Sequence, residues 1–167
     1  TLGTSHCTTT GLANNLATKP TGIIAHCITD LLVLRGDKAK SDRTFVAEQG
    51  GYNHAVELCE QVSAFNRGEM LDGTASGNLL APFSFGVAGY PEKHEEAMNI
   101  DVDIAHLKEK INAGAEYVVT QMFFDNAKYF DFVNRCRTAG IEVPIIPGLK
   151  PLTSLTQQAL LPKTFHI

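Results

Sequence analysis

The sequence lacks several features that would assign it to a specialised class of protein. It contains no tryptophan, and none of its four cysteines forms a CxxC pair: Cys7, Cys27, Cys59 and Cys136. Structural zinc sites and the disulfide frameworks of small secreted proteins depend on cysteines at characteristic spacings, so neither is predicted. The six histidines form no HxH or HExxH pattern, and we therefore expect no metal site.

Charge and hydropathy argue against two further classes of partner. Fourteen basic and 18 acidic residues give a formal net charge of −4, so neither a nucleic acid nor an anionic membrane is an expected partner. No apolar run approaches the length that a bilayer requires, and no signal-peptide pattern opens the chain. Together with the cysteine pattern, these absences predict a protein of the reducing cytoplasm.

The sequence does contain an alternation of short apolar runs and helical patterns. With 44% hydrophobic residues, its 167 positions are enough for one domain with a sizeable core. Short runs rich in leucine or β-branched residues predict buried parallel strands at 29–34, 83–88, 117–120 and 143–146, with a fifth candidate at 22–25. Apolar residues at helical spacing predict helices at 52–65, 100–112 and 126–138.

This alternation predicts βαβ units around a parallel sheet, and both a doubly wound sheet and a barrel satisfy it. In either fold, functional residues gather at the carboxyl ends of the strands. The predicted ends are unusually polar, at residues 35–37, 90–94, 121–125 and 147–150. Residues 66–82, rich in Gly, Asn and Ser, are expected to form an exposed excursion.

Two of these strand ends carry groups suited to a flat, charged ligand. Asp37 follows a buried strand and a glycine, where backbone contacts and charge contacts with a ligand can meet; the alternative is a turn with a surface ion pair. At the second of these strand ends, the small residues Ala88 and Gly89 let a ring approach the backbone, and Tyr90 offers stacking area and a hydroxyl. His94 could add a donor or acceptor there, although a loop histidine is usually just solvated.

Two further patterns have both a purely structural and a functional interpretation. Gln121 places a neutral amide at a strand end, suited to the edge of a heterocycle. The preferred alternative is a strand cap, with the phenylalanines that follow it in the core. Asp103, His106 and Lys110 share one helical face, which is either a solvated stripe or a rim for a ribose and pyrophosphate. Neither a GxGxxG nor a GxxxxGK[ST] motif is present to bind phosphates.

Several stretches together resemble the methylenetetrahydrofolate reductases, and they follow one another in the family's order. They are DLLVLRGD at 30–37, EQGGYNHAVEL at 48–58, FGVAGYPEKHEEAMN at 85–99, DIAHLKEKINAGAEYVVTQMFFDNAKYFDF at 103–132 and GIEVPIIPGLKPLTS at 140–154. The resemblance covers nearly the whole chain from Ile28 onward. It implies a single domain over residues 1–167, a flavin-binding (β/α)8 TIM barrel that is only partly represented here.

The resemblance also implies a reaction. Members of this family reduce 5,10-methylenetetrahydrofolate to 5-methyltetrahydrofolate in one-carbon and methionine metabolism. In their ping-pong cycle, NADH or NADPH reduces FAD and leaves, and the folate then takes the hydride from the flavin. The implied cofactor is therefore FAD, the implied partners are a folate and a nicotinamide, and a homo-oligomer is compatible with the resemblance.

Site residues are carried over position by position. The implied FAD contacts are Thr1, Leu2, His26, Arg35, Gly36, Asp37, Tyr52, Asn53, Tyr90, His94, Ala97, Asp103, His106 and Lys110. Asp37 and Gln121 are the implied catalytic residues, and Asp37, Gln121 and Gln157 the implied substrate contacts. A fixed carboxylate such as Asp37 would stabilise the cationic iminium form of the folate. A neutral amide such as Gln121 can serve two planar ligands in turn.

The sequence also departs from the family's pattern. No segment matches the first strand, whose glutamate protonates the folate in the family, and His26 is followed by Cys27 where the family has Leu-Thr-Cys. Glu109 stands where some members have a basic residue. We expect a domain that lacks its N-terminal strand, a segment near 26–27 and its C-terminal end. The competing interpretations are a catalytically inactive, barrel-derived binding or regulatory subunit, and a flavin barrel that acts on another heterocycle.

Overall fold

The computed structural model describes residues 5–8, 29–36, 45–47, 50–70, 72–73, 75, 82–157 and 160–161. Within this part of the chain lie five strands: β1 (Ser5–Thr8), β2 (Asp30–Leu34), β3 (Ser84–Gly89), β4 (Tyr117–Thr120) and β5 (Ile145–Ile146). The same part contains three long helices: α1 (Ala55–Asn66), α2 (Ile100–Asn112) and α3 (Asn126–Thr138). The predicted strand at 22–25 and the predicted contacts Thr1, Leu2, His26 and Asp37 lie outside the described residues.

The five strands form one parallel sheet in the order β1-β2-β3-β4-β5. A doubly wound sheet reverses its strand order at a switch point, whereas this order simply follows the chain. Right-handed crossovers between sequential strands bring the helices to one face. Accordingly, α1 packs on β2, α2 packs on β3, and each of these helices contacts the next. The predicted TIM-barrel architecture is therefore confirmed as a stretch of barrel wall.

Capping residues fix the limits of α2 and α3, and both helices have the predicted bounds. The side chains of Asn99 and Asp125 accept hydrogen bonds from backbone N–H groups of the first turn that follows each of them. Gly114 and Gly140 come after the helix ends with φ of 112° and 78°, a backbone conformation that favours glycine. A polar capping residue before the start and a glycine after the end thus define each helix.

The first helix begins three residues later than predicted, at Ala55 rather than at Tyr52. The carboxylate of Glu57 accepts a hydrogen bond of 2.7 Å from the N–H of His54, so the helix starts after His54. Hydrophobic spacing alone does not show this limit, because Tyr52 fits the same stripe. The end of the helix at Asn66 agrees with the prediction within one residue.

β2 and β3 agree with the prediction within one residue, and two other strands differ from it further, for different reasons. β5 was predicted from residue 143 but consists of Ile145 and Ile146 alone, since Pro144 has no N–H to donate to a ladder. β1 was not predicted, because its sequence, Ser-His-Cys-Thr, has no apolar run. Its pairing with β2 identifies it as a strand.

The hydrophobic core lies between the sheet and the helices. Alternate residues of β2, β3 and β4 face the helices, as the pleat requires. Burying these side chains against the helical stripes is the main stabilising contribution to the sheet, at about 25 cal/mol per Å² of apolar surface. The buried strand residues are Leu31, Val33, Phe85, Val87 and Val118, and the helical ones include Leu58, Val62, Leu107 and Phe132. No helix within the described ranges is both long and apolar enough to span a bilayer.

Candidate functional site

A cleft of about 400 Å³ opens at the carboxyl ends of β2 and β3. Its walls come from the end of β2, the first turn of α1, the loop that follows β3 and one face of α2. The strand-end position and the volume are both usual for a ligand site in this class of fold. Half of the predicted FAD contacts lie along the cleft: Arg35, Tyr90, His94, Ala97, Asp103, His106 and Lys110.

Other predicted site residues lie away from the walls of this cleft. Gly36 and Asn53 adjoin lining residues in sequence without lining the cleft, and Tyr52 faces a second cavity beside α1. Gln121 stays close to the site, because its N–H donates a hydrogen bond of 2.8 Å to the carbonyl of Gly89 at the end of β3.

Gln157 makes local contacts with the segment that precedes it. Its side-chain Oε1 accepts hydrogen bonds from the backbone N–H and the hydroxyl of Thr153, at 3.0 and 3.1 Å. Gln157 does not line the cleft. Its predicted contact with the folate therefore stays a prediction.

Lys110 places a positive charge against the end of β3. Its Nζ donates a hydrogen bond of 2.9 Å to the carbonyl of Ala88. Burial lowers the pKa of Lys110, and the nearby carboxylate of Asp103 acts in the opposite direction. The helical face that was either a solvated stripe or a binding rim is thus a cleft wall, in which Asp103 is 9% exposed.

Both the backbone and the ring of His94 make contacts that fix its position. Its backbone N–H donates to the Asp103 carboxylate at 2.9 Å, and its ring packs edge-to-face on Tyr90 at 4.7 Å between centroids. The ring Nδ1 accepts a hydrogen bond of 3.1 Å from the N–H of Glu96, so the neutral ring carries its proton on Nε2. Burial lowers the pKa of His94, although Asp103 and Glu96 favour the protonated form. His94 therefore offers the cleft a neutral ring.

An ion pair joins two walls of the cleft. Arg35, at the end of β2, contacts the carboxylate of Glu96, in the loop after β3, at 2.7 Å. The same guanidinium lies over the ring of Phe45, 4.6 Å from its centroid. Only 18% of the Arg35 side chain is exposed, so its cation is fixed in the wall. An anionic ligand would compete with Glu96 for this cation.

Sequence reasoning missed some of the lining residues. These belong to the first turn of α1 and to one acidic position in the loop after β3: His54, Ala55, Val56 and Glu96. A detectable signal existed for the helix turn, because a glutamate three residues after the capping position marks a helix start. The N-terminus of a helix carries partial positive charge and free N–H groups, and it favours anions. No comparable signal marks Glu96.

The two phenylalanines after Gln121 have different surroundings. Phe123 is 8% exposed and stacks on Tyr129 with 4.9 Å between the ring centroids. Phe124 is 45% exposed. The interpretation of both as core residues is therefore right for Phe123 and wrong for Phe124, and neither forms a wall of the cleft.

The groups present fit a flavin dinucleotide better than they fit a metal ion. Arg35, Lys110 and the N-terminus of α1 can oppose the charge of a pyrophosphate. Tyr90 provides an aromatic surface, and the small side chain of Ala97 leaves room for a ring. Among the described residues, no group of three or more His, Cys, Asp or Glu side chains could hold a metal.

A singly wound parallel sheet with a cleft at the carboxyl ends of its strands defines a (β/α)-barrel protein. The sequence model of one family, described as methylenetetrahydrofolate reductase, matches residues 5–167. The chain belongs to the methylenetetrahydrofolate reductase family.

Individual relatives agree with this assignment. Methylenetetrahydrofolate reductase 2 of Saccharomyces cerevisiae is 36% identical over 127 residues, which cover 75% of this chain and 19% of the relative. Methylenetetrahydrofolate reductase (NADH) 1 of Arabidopsis thaliana is 35% identical over 136 residues, or 76% of this chain and 21% of the relative. The 5,10-methylenetetrahydrofolate reductase of Escherichia coli is 46% identical over 78 residues, or 47% of this chain and 26% of the relative. The chain thus spans about a fifth to a quarter of the length of these relatives.

Proposed function

We propose that residues 1–167 belong to the flavin-binding barrel domain of an enzyme that reduces 5,10-methylenetetrahydrofolate to 5-methyltetrahydrofolate. Membership of the family is the observation that carries this proposal. Supporting it, the fold gathers half of the predicted FAD contacts around one strand-end cleft. The proposed mechanism is ping-pong, with a nicotinamide and the folate using the site in turn.

In this proposal FAD supplies the hydride chemistry, and the chain supplies binding, orientation and electrostatics. Arg35, Lys110 and the first turn of α1 hold the negatively charged part of the cofactor. Asp103 is already anchored by the N–H of His94 and offers its remaining acceptor capacity to ribose hydroxyls. The neutral ring of His94 donates from Nε2 to an acceptor on the cofactor.

The proposed catalytic residues are Asp37 and Gln121. Asp37, which also contacts the folate, supplies the negative charge that stabilises a cationic iminium. Gln121 contacts the nicotinamide and then the folate through a neutral amide. Gln157 is a second proposed folate contact. The hydrogen bond from Gln121 to Gly89 supports a position beside the loop that carries Tyr90.

The proposal also includes the nicotinamide and the setting in which the enzyme works. The proposed hydride donor is NADH or NADPH, and the name of the Arabidopsis relative specifies NADH. A cytoplasmic location, the lack of nucleic-acid or membrane partners and a homo-oligomeric assembly stay predictions.

The test is a pair of half-reactions on the full-length protein under anaerobic conditions. We expect the purified protein to carry flavin absorbance, NADH or NADPH to bleach it, and 5,10-methylenetetrahydrofolate to restore it. Mass spectrometry should then detect 5-methyltetrahydrofolate in an amount equal to the flavin reoxidised. A folded, colourless protein would support an inactive binding subunit. A flavin that the nicotinamide bleaches and the folate does not restore would support a flavin barrel for another heterocycle.

A further inference from the structure

Lys93 has an unusual backbone conformation in the loop that follows β3. Its φ is 80°, and it is the one residue other than glycine with a positive φ in the described part of the chain. Lysine has a Cβ that disfavours this left-handed region, so the surrounding contacts hold it there. Its N–H donates a hydrogen bond of 3.1 Å to the carbonyl of Tyr90, which closes a tight turn.

The side chain of Lys93 binds the backbone that follows it. Its Nζ donates to the carbonyls of Ala97 at 2.7 Å and His94 at 2.9 Å, and it lies 3.4 Å from that of Glu95. An ammonium has three donors, and here all three face carbonyls of one short loop segment. Within the same segment, the N–H of Ala97 donates to the carbonyl of His94 at 3.0 Å. Residues 94–97 therefore fold around the Lys93 ammonium.

This segment forms one wall of the cleft. His94, Glu96 and Ala97 all line it, and Lys93 does not. Two contacts tie the segment to other elements: the N–H of His94 binds Asp103 on α2, and Glu96 binds Arg35 after β2. The ammonium of Lys93 adds hydrogen bonds to the backbone carbonyls of the same segment. A loop with both kinds of anchor loses less conformational freedom when a ligand binds.

We propose that Lys93 is a positioning residue of the flavin site. Its ammonium holds the backbone of residues 94–97 in the conformation that presents His94 and Ala97 to the cofactor. The identity of the ligand in this inference rests on the proposed function. The role of the ammonium within the loop rests on the hydrogen bonds alone.

The first experiment needs no flavin. Amide hydrogen exchange of residues 94–97 is measured in the full-length apoprotein for the wild type, Lys93→Met and Lys93→Gly. Lys93→Met keeps the side-chain length without the donors, and Lys93→Gly also relieves the strained φ. We expect faster exchange in both variants. Exchange as slow as wild type in Lys93→Gly would show that the turn, rather than the ammonium, orders the loop, and would overturn the inference.

Lys108→Met is a matched control. Lys108 also donates from Nζ to a backbone carbonyl, that of Ala139, and it does not line the cleft. It lies on α2, close in sequence to Lys110. Both lysine changes remove a charged hydrogen bond to the backbone. We expect Lys108→Met to leave the exchange of residues 94–97 unchanged, and faster exchange there would mean that loss of any such bond loosens this loop.

The second experiment measures FAD affinity from the quenching of flavin fluorescence. We expect the Kd to rise about tenfold in Lys93→Met and Lys93→Gly, the usual effect of losing a charged hydrogen bond, and to stay unchanged in Lys108→Met. Lys93→Cys treated with 2-bromoethylamine rebuilds an ammonium at the same distance from the backbone and should recover slow exchange and tight binding. Treated wild-type protein is its control.

The outcomes separate this inference from the proposed function. Faster exchange with an unchanged Kd, or alkylated Lys93→Cys that stays as weak as Lys93→Met, would overturn the positioning role. A wild-type protein that does not bind FAD would overturn the proposed function. Even then, the exchange of residues 94–97 in the apoprotein would decide whether the Lys93 ammonium orders the loop.

Discussion

The ring of Tyr117 lies against the backbone of Gly86, its partner on the neighbouring strand. From there the Tyr117 hydroxyl donates a hydrogen bond of 2.9 Å to the carbonyl of Leu31, so this side chain crosses β3 to reach β2. A Cβ on Gly86 would overlap with the Tyr117 ring. Glycine at this position therefore allows the Tyr117 side chain to connect three strands, β4, β3 and β2.

Gly86→Ala should displace this ring and break the hydrogen bond from Tyr117 to Leu31. We expect it to lower the free energy of unfolding by about 1–3 kcal/mol, the usual cost of overpacking. Urea denaturation measures the change. Tyr117→Phe serves as the comparison, because it removes the hydroxyl alone and should cost about 1 kcal/mol. The two effects should not add, since both break the same contact. An unchanged urea midpoint in Gly86→Ala would show that the ring moves aside without loss.

Lys110→Met should weaken FAD binding, because it removes a cation from the wall of the cleft while keeping a side chain of similar length. We expect the Kd for FAD to rise about 10- to 100-fold, as for the loss of a charged hydrogen bond. Fluorescence titration measures it, and Lys108→Met is the control on the same helix. Thermal denaturation without FAD identifies any misfolding. An affinity equal to wild type would remove Lys110 from the cofactor site.

His94 should make the fold less stable at mildly acidic pH. Burial lowers the pKa of His94 in the folded state, so the unfolded chain binds the proton more readily. The stability that neutral His94 contributes to the fold is fully present above the unfolded histidine pKa of about 6.5. It is lost as the pH falls through that value toward the lower pKa of the folded state. Asp103 and Glu96 oppose the shift, and Arg35 and Lys110 add to it.

The measurement is urea denaturation of wild type and His94→Gln from pH 5 to pH 8. The difference between the two proteins isolates His94 from the carboxylates that titrate in the same range. We expect wild type to lose stability relative to His94→Gln as the pH falls. A constant difference across the range would mean that His94 has an ordinary pKa in the folded protein.

Asp37→Asn should damage the folate half-reaction more than the nicotinamide half-reaction. The folate has to form a cation before hydride arrives, whereas the nicotinamide becomes cationic only as hydride leaves. Losing a preorganised electrostatic contact typically costs about 10²–10³-fold in rate. Anaerobic stopped-flow absorbance of the flavin separates the two steps in the full-length protein. Equal losses in both would indicate that Asp37 only holds the cofactor.

The sequence predicted elements best where a polar cap and a glycine limit the apolar pattern. Asn99 and Gly114 lie just outside α2, and its predicted bounds are confirmed. The short strand β1 could not be predicted, because its residues have no apolar pattern and the pairing with β2 defines it. The strand order is likewise a long-range property, which is why the pattern left a doubly wound sheet open.

For the cleft, the sequence predicted which residues follow the strands and line the site. It did not predict which contacts these residues make. Tyr90 and His94 follow a recognisable strand, and they line the site. The partner of Arg35 is 61 residues away, at Glu96, and no local pattern connects the two. Lys93 has no sequence signal either, since its role depends on a left-handed backbone conformation that lysine seldom adopts.

The walls of the cleft come from one continuous stretch of chain, between Val33 and Lys110. Its contacts join the neighbouring strands β2 and β3 and the segments that follow them. A ligand that binds there adds its stabilisation to this pair of strands directly. Ligand binding should therefore stabilise the pairing of β2 with β3 against unfolding.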